Sequence, residues 1–187
     1  TFQGSKLSGW VSYALAYANR FDYGTEYPFN FDQRHTLNIV LNYQLNNWLE
    51  FGVRWQYGSG FPISQPAGVK PRIILEDQDL DGTPETPVIA TRDINNNGGE
   101  DPVIFDVDFA DRKLNSRKPI YHRLDFRVNA YAKWWDLDWT IYLDIINVYN
   151  RSNVIGYDYY VNEDLSLGKQ TTTMLPIIPT LGFSVRF

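Results

Sequence analysis

The sequence contains no cysteine, a single methionine and two histidines. The first absence excludes a disulfide framework and any thiolate metal site. Neither His35 nor His122 pairs with a plausible nucleophile, so no Ser-His-Asp arrangement can be assembled. No glycine-rich phosphate loop follows a strand. Nothing in the sequence therefore points to an enzyme. No run of 18 apolar residues occurs, so no transmembrane helix is expected. Basic blocks are missing too: 17 Lys+Arg stand against 22 Asp+Glu, for a net charge of −5 and an isoelectric point near 5.0. That balance argues against nucleic acid as the main partner. The chain opens Thr1-Phe2-Gln3 without an initiator Met or a signal peptide and enters a strand pattern almost at once. It reads as a processed protein or as a fragment.

What is present is aromatic. Of 187 residues, 16% are aromatic, with 13 Tyr, 11 Phe and 6 Trp, which argues against disorder. The mean hydropathy of −0.38 resembles that of a soluble protein. A membrane β-barrel shares that value, because only alternate residues face lipid.

Period two runs through most of the chain. Leu7, Gly9, Val11, Tyr13, Leu15 and Tyr17 alternate with Ser8, Trp10, Ser12 and Ala14. Five further segments repeat the pattern: Leu37 to Leu45, Leu49 to Tyr57, Leu124 to Trp134, Leu137 to Ile145, and Ile177 to Phe187. Each runs for about ten residues, the length a tilted strand needs to cross a bilayer, whereas globular strands are nearer five or six. One face of each is apolar, with aromatics near the ends, and the other is polar or charged. Asn46-Asn47 and Trp135-Asp136 are predicted as short turns. The remaining connections are long: residues 21–34, about 58–120 and about 149–175. Short turns alternating with long loops fit an outer-membrane barrel, with the turns periplasmic and the loops external. Under that rule the first strand runs outward and the sixth inward. Six strands cannot close a barrel, so the expected fold is all-β, an antiparallel transmembrane barrel segment over residues 1–187. Within the longest loop, Val69 to Leu75 and Val103 to Phe109 are expected to form a short hairpin.

Several stretches resemble a known family. They are Asn19-Arg20-Phe21-Asp22 followed by Tyr27-Pro28-Phe29-Asn30-Phe31-Asp32-Gln33-Arg34-His35-Thr36-Leu37; Trp55-Gln56-Tyr57-Gly58-Ser59-Gly60-Phe61-Pro62; Tyr121-His122-Arg123-Leu124-Asp125; and Ile146-Asn147-Val148-Tyr149-Asn150-Arg151-Ser152-Asn153. In order and spacing they resemble the late barrel strands of TonB-dependent receptors of the Bacteroidetes type. The end, Leu175 to Phe187, resembles that family's terminal strand, in which Phe183, Val185 and Phe187 would carry the barrel-assembly signal. The resemblance implies the last part of a roughly 22-strand plugged barrel in the outer membrane of a Gram-negative cell. It also implies active solute uptake, outer-membrane lipid around the wall, and a plug domain and TonB machinery contacted through sequence not present here. A surface lipoprotein would be a possible lid. The competing readings are a structural or adhesive barrel without transport, and a soluble calcium-binding β-sandwich.

Two acidic stretches carry candidate metal chemistry. Asp77, Asp79 and Asp81 stand at alternate positions before Gly82, with Glu85 beyond, and Asp93, Asn95, Asn97 and Asp101 repeat the pattern. Such spacing lets successive oxygens wrap one hard cation, and Ca²⁺ takes 6 to 8 of them. Val88 and Ile104 occupy the position where an EF-hand needs Glu, so a thrombospondin-repeat type of loop is the better analogy. The competing reading is a solvated, turn-rich loop. His35 and His122, each beside an arginine at a strand start, read as caps and packing groups rather than as ligands. The charges Glu50, Arg54, Arg123, Asp125, Arg127, Lys133, Asp138, Asp144 and Arg186 share the polar face. They are expected to pair with neighbouring strands or a plug, since buried charges need partners. Tyr157, Tyr159 and Tyr160 are the candidate ligand-stacking residues. The tryptophans at strand ends are expected to form interfacial girdles.

Overall fold

The computed structural model describes residues 1–76, 86–90, 103–109 and 114–187. The described residues contain no helix and fold as antiparallel strands. In chain order these begin with β1 (Phe2–Gln3), β2 (Leu7–Leu15), β3 (Asn19–Asp22), β4 (Thr25–Pro28), β5 (His35–Asn46), β6 (Leu49–Gly58), β7 (Pro62–Ile63), β8 (Gly68–Pro71) and β9 (Ile73–Glu76). They continue with β10 (Thr86–Ile89), β11 (Phe105–Asp108), β12 (Ser116–Arg117), β13 (Tyr121–Trp134), β14 (Leu137–Ile146), β15 (Val154–Val161), β16 (Leu167–Thr173) and β17 (Ile178–Arg186).

One sheet dominates, in the order β1-β2-β5-β6-β13-β14-β17. It is open: β1 and β17 are its edges and do not pair with each other. The six long strands coincide with the six alternating segments, and β1 is a short seventh that the alternation did not flag. Register puts every alternation in phase. Leu41 faces Val53, Val53 faces Phe126, Phe126 faces Ile145 and Ile145 faces Pro179. A one-residue slip in any pair would have put an apolar row beside a polar one. One whole face is therefore apolar and the other polar.

The two short turns differ in chemistry. Trp135 and Asp136 connect β13 to β14 with φ of 52° and 60°, the left-handed pair that matches strand twist in a two-residue hairpin. At the other turn Asn46 is already paired with Leu49, so the loop is Asn47-Trp48, one residue later than the sequence suggested. The register shift between Gln44 and Asn46 makes room for it, with Leu45 as the extra residue.

The described parts of the long connections are not irregular. Each continues its parent hairpin beyond the sheet. Ala16 donates to the Arg34 carbonyl and Phe29 to that of Ala18, which carries β2–β5 on into β3–β4. Lys118 donates to Phe61, and β7–β12 then extends β6–β13 in unchanged register. Beyond it β8 pairs with β11, which is the expected hairpin, while β9 pairs with β10 instead. The Arg72 guanidinium clasps Asp106 across β8–β11 and holds that carboxyl below the usual carboxylate range. Met174 donates to Asn153, joining β14–β17 to β15–β16.

Among the described residues, burial of polar side chains is confined to the rim where these extensions leave the sheet. Among the described residues, Ala90 is the one buried hydrophobic side chain, while Asp32, Asn147 and Asn153 are the buried polar ones. Val11, Leu143, Leu181 and Phe183 of the main sheet's apolar face are exposed.

Candidate functional site

At the long-loop end of the sheet, polar side chains hold the bases of the three extensions. Asp32 follows β4 in the first connection and is fully buried. Its carboxylate accepts from the Ala18 N–H at 2.9 Å and from the Arg117 guanidinium, with Arg34 at 3.5 Å. Burial alone would raise its pKa. The Ala18 N–H and the Arg117 and Arg34 charges outweigh that and keep it below the usual carboxylate value. Arg117 also donates to the carbonyls of Asp32 at 2.8 Å and Gly60 at 3.0 Å. A side chain at position 60 would collide with the backbone of Lys118, so only glycine allows the two arms of the central extension to meet there. Next in sequence, Lys118 donates to the Ile155 carbonyl of the third connection. Consecutive residues at the end of β12 and just past it thus brace opposite neighbours.

The third base is an asparagine turn. Asn147 and Asn150 have φ of 57° and 52°, a left-handed conformation that Asn tolerates better than most residues. Asn147 Nδ2 donates to the carbonyls of Arg151 and Leu175, and its Oδ1 accepts from the Arg151 N–H. Asn153 bonds both the N–H and the carbonyl of His122. His122 Nδ1 lies 2.7 Å from Tyr149 Oη, and His35 Nδ1 lies 2.9 Å from Tyr13 Oη. Each histidine thus stands in a tyrosine pair at the rim, and no cluster of three potential metal ligands occurs among the described residues.

Between the three bases lies a recess of about 460 Å³. Its walls are mostly apolar, with Phe31, Phe61, Pro119, Tyr121, Ile155 and Met174 contributing, and Lys118 supplies its one cation. A second, shallow recess of about 500 Å³ lies on the polar face of the sheet. Here Arg123 pairs with Asp125 at 2.8 Å and Arg127 with Asp144 at 3.3 Å, while Tyr131 donates to Glu50 at 2.8 Å. Arg127 also covers the Tyr142 ring at 4.5 Å. Arg54 stands opposite Asp125 in register, yet makes no ion pair among the described residues. Lys133 and Arg186 flank Asp138 across the strands.

The other sequence candidates divide. Asp77, Asp79, Asp81, Glu85, Asp93, Asn95, Asn97 and Asp101 lie outside the described residues. Tyr157 and Tyr159 share one face of β15, ring centroids 6.2 Å apart, with Lys169 over the first at 4.5 Å and Phe109 edge-on to the second at 6.1 Å. Tyr160 points to the other face, over Gly168, so the three rings do not form one cluster. Phe183 and Val185 follow one another along the apolar face of β17, and Phe187 lies just beyond its end, fully exposed. Sequence reasoning missed Asp32, Arg117 and Lys118 as site residues. The partners of Arg117 and Lys118 are 85 and 37 positions away, with no local signal. Comparison with family models, with curated proteins and with solved structures finds no match.

Proposed function

We propose that the chain is wall and external loops of an outer-membrane β-barrel of the TonB-dependent receptor type, and that it serves active uptake of a solute. The observation that carries this reading is the uncovered apolar face. Six long strands keep it in phase, and no second layer lies against it among the described residues. In water such a surface would be far larger than monomers usually expose. In a bilayer it is the lipid-facing wall.

Two aromatic rows frame that face. Tyr13, Tyr57, His122 and Tyr149 lie toward the long-loop end, and Trp134, Trp139 and Phe183 toward the short turns. From His122 to Trp134 the strand advances twelve residues, roughly 40 Å at about 3.4 Å each. At a barrel tilt of about 40° that spans roughly 30 Å, close to the hydrocarbon thickness. Aliphatic residues and the stacked Phe51–Phe126 pair fill the interval. Open edges at β1 and β17 are then places where the remaining strands of a larger barrel continue the ladder, because unpaired edges are not tolerated in lipid. The polar face, with its paired arginines and carboxylates, lines the interior, and the three braced extensions form part of the external mouth.

The absence of native cysteine makes the test clean. Single cysteines at Val53, Phe126 and Leu143 should resist a membrane-impermeant, polar maleimide in intact membranes. Cysteines at Gln56, Asn129 and Thr140 should react once the membrane is permeabilised. Equal labelling of the two sets would overturn the reading.

A further inference from the structure

We propose that the rim recess binds a small amphipathic monocarboxylate, with its apolar body against Phe31, Phe61 and Tyr121 and its carboxylate on the Lys118 ammonium. This names a solute class for the uptake reading above and rests on it.

The argument starts from charge. Two cations sit side by side at the rim, and they are not equivalent. Arg117 is consumed by the buried Asp32 carboxylate and two carbonyls. Lys118 has no carboxylate partner among the described residues; its bond is to a neutral carbonyl, that of Ile155. An ammonium has three donors, so Lys118 can keep its brace and still receive an anion. Among the described residues the recess thus offers one uncompensated positive charge, which matches a single negative one.

Shape supplies the rest. At about 460 Å³ the space is of small-molecule size. Its walls are aromatic and aliphatic, and Phe31 is 74% and Met174 43% exposed, although both border a concavity. Apolar walls with one placed charge are the usual composition of a ligand site. A sugar would leave most of its hydroxyls unpaired there, and a bare inorganic anion would leave the walls wet. All three long connections contribute lining residues: Phe31 from the first, Phe61 and Lys118 from the second, Ile155 and Met174 from the third. Occupancy would therefore touch every extension at once.

The probe is 4-phenylbutyrate, compared with its uncharged amide, by equilibrium dialysis on the protein purified from membranes in detergent. The acid should bind about tenfold more tightly than the amide, the worth of one charge-assisted hydrogen bond. Lys118→Gln should abolish that preference and Lys118→Arg should keep it. Phe61→Ala should weaken acid and amide together. Lys133→Gln, a cation far from the rim, should change neither. Equal affinity for acid and amide, a preference that survives Lys118→Gln, or no binding of either at millimolar concentration would each overturn the proposal. Maleimide labelling at position 53 in the intact membranes from which that protein is purified keeps the two readings apart. Protected labelling with no acid preference sinks the ligand assignment alone, and unprotected labelling sinks the membrane reading.

Discussion

Asp32, Asn147 and Asn153 are polar, yet among the described residues they are withdrawn from solvent at least as fully as Ala90, the one buried hydrophobic side chain. Each is withdrawn because its hydrogen-bonding capacity is spent on backbone where a strand pair turns into its extension. An apolar replacement would orphan those backbone groups, which costs more than the net worth of the bonds. Asp32 adds a charge to this logic, and its effect on stability has a sign. Its folded-state pKa lies below the ordinary aspartate value, so the carboxylate form is favoured by folding. The stabilisation is complete above the unfolded pKa and is lost as pH falls through the lower, folded value. Asp32→Asn should therefore destabilise the protein at neutral pH by about 1.5–3 kcal/mol, the range for hydrogen bonds to a charged group. The difference in melting temperature between the two proteins should be constant from pH 7 to pH 5 and shrink below pH 4. A gap that persists unchanged at pH 3 would show that the charge on Asp32 is not what matters.

For the elements, the strands were legible in the sequence because the face pattern has a period of exactly two residues and the strands are long. Leu37 to Leu45 and Leu124 to Trp134 left no helical alternative. The extensions were less legible. β3–β4 and β15–β16 carry weak alternation, since both of their faces meet water or each other and neither has to be apolar. β9–β10 was missed for a related reason: Thr86-Pro87-Val88-Ile89 is too short to show a period. β1 has only two residues. The rim site was half legible. Its asparagine turn and its Gly58-Ser59-Gly60 stretch stood out as motifs, but the partnership of Arg117 with Asp32 is a tertiary fact. Facing, by contrast, is a property of a whole strand and can be tested on one. Val53 and Gln56 both lie on β6, on opposite faces. Val53→Arg should cost about 2–4 kcal/mol if that face meets lipid at mid-depth, and the yield of heat-modifiable barrel should fall. Gln56→Arg lies beside Asn38 and Arg123 on the polar face and should assemble nearly as well as the parent. Equal yields would overturn the facing of the entire sheet, since register locks all six long strands together.

At the scale of the whole molecule, the sheet does not account for its own stability in water. A domain of this length normally buries a core between two layers, and here one layer stands alone with a single buried apolar side chain among the described residues. Its hydrogen bonds satisfy the interior strands but leave the outer edge of β17 and most of that of β2 unpaired. Both deficits have the same remedy, a surrounding that covers the apolar face and continues the ladder. The 187-residue chain alone in aqueous buffer should therefore not sediment as a 21.8 kDa monomer. It should associate through its edges and its uncovered face, because exposed flat edges and large apolar patches are the two routes to aggregation. Detergent micelles should cover the face without pairing the edges. Sedimentation should then show dispersed particles, and amide exchange should remain fast along β17 and slow along β6 and β13, which are paired on both sides. A detergent-free monomer with protected edge amides would mean that another part of the chain covers the sheet, and the barrel assignment would fall with it.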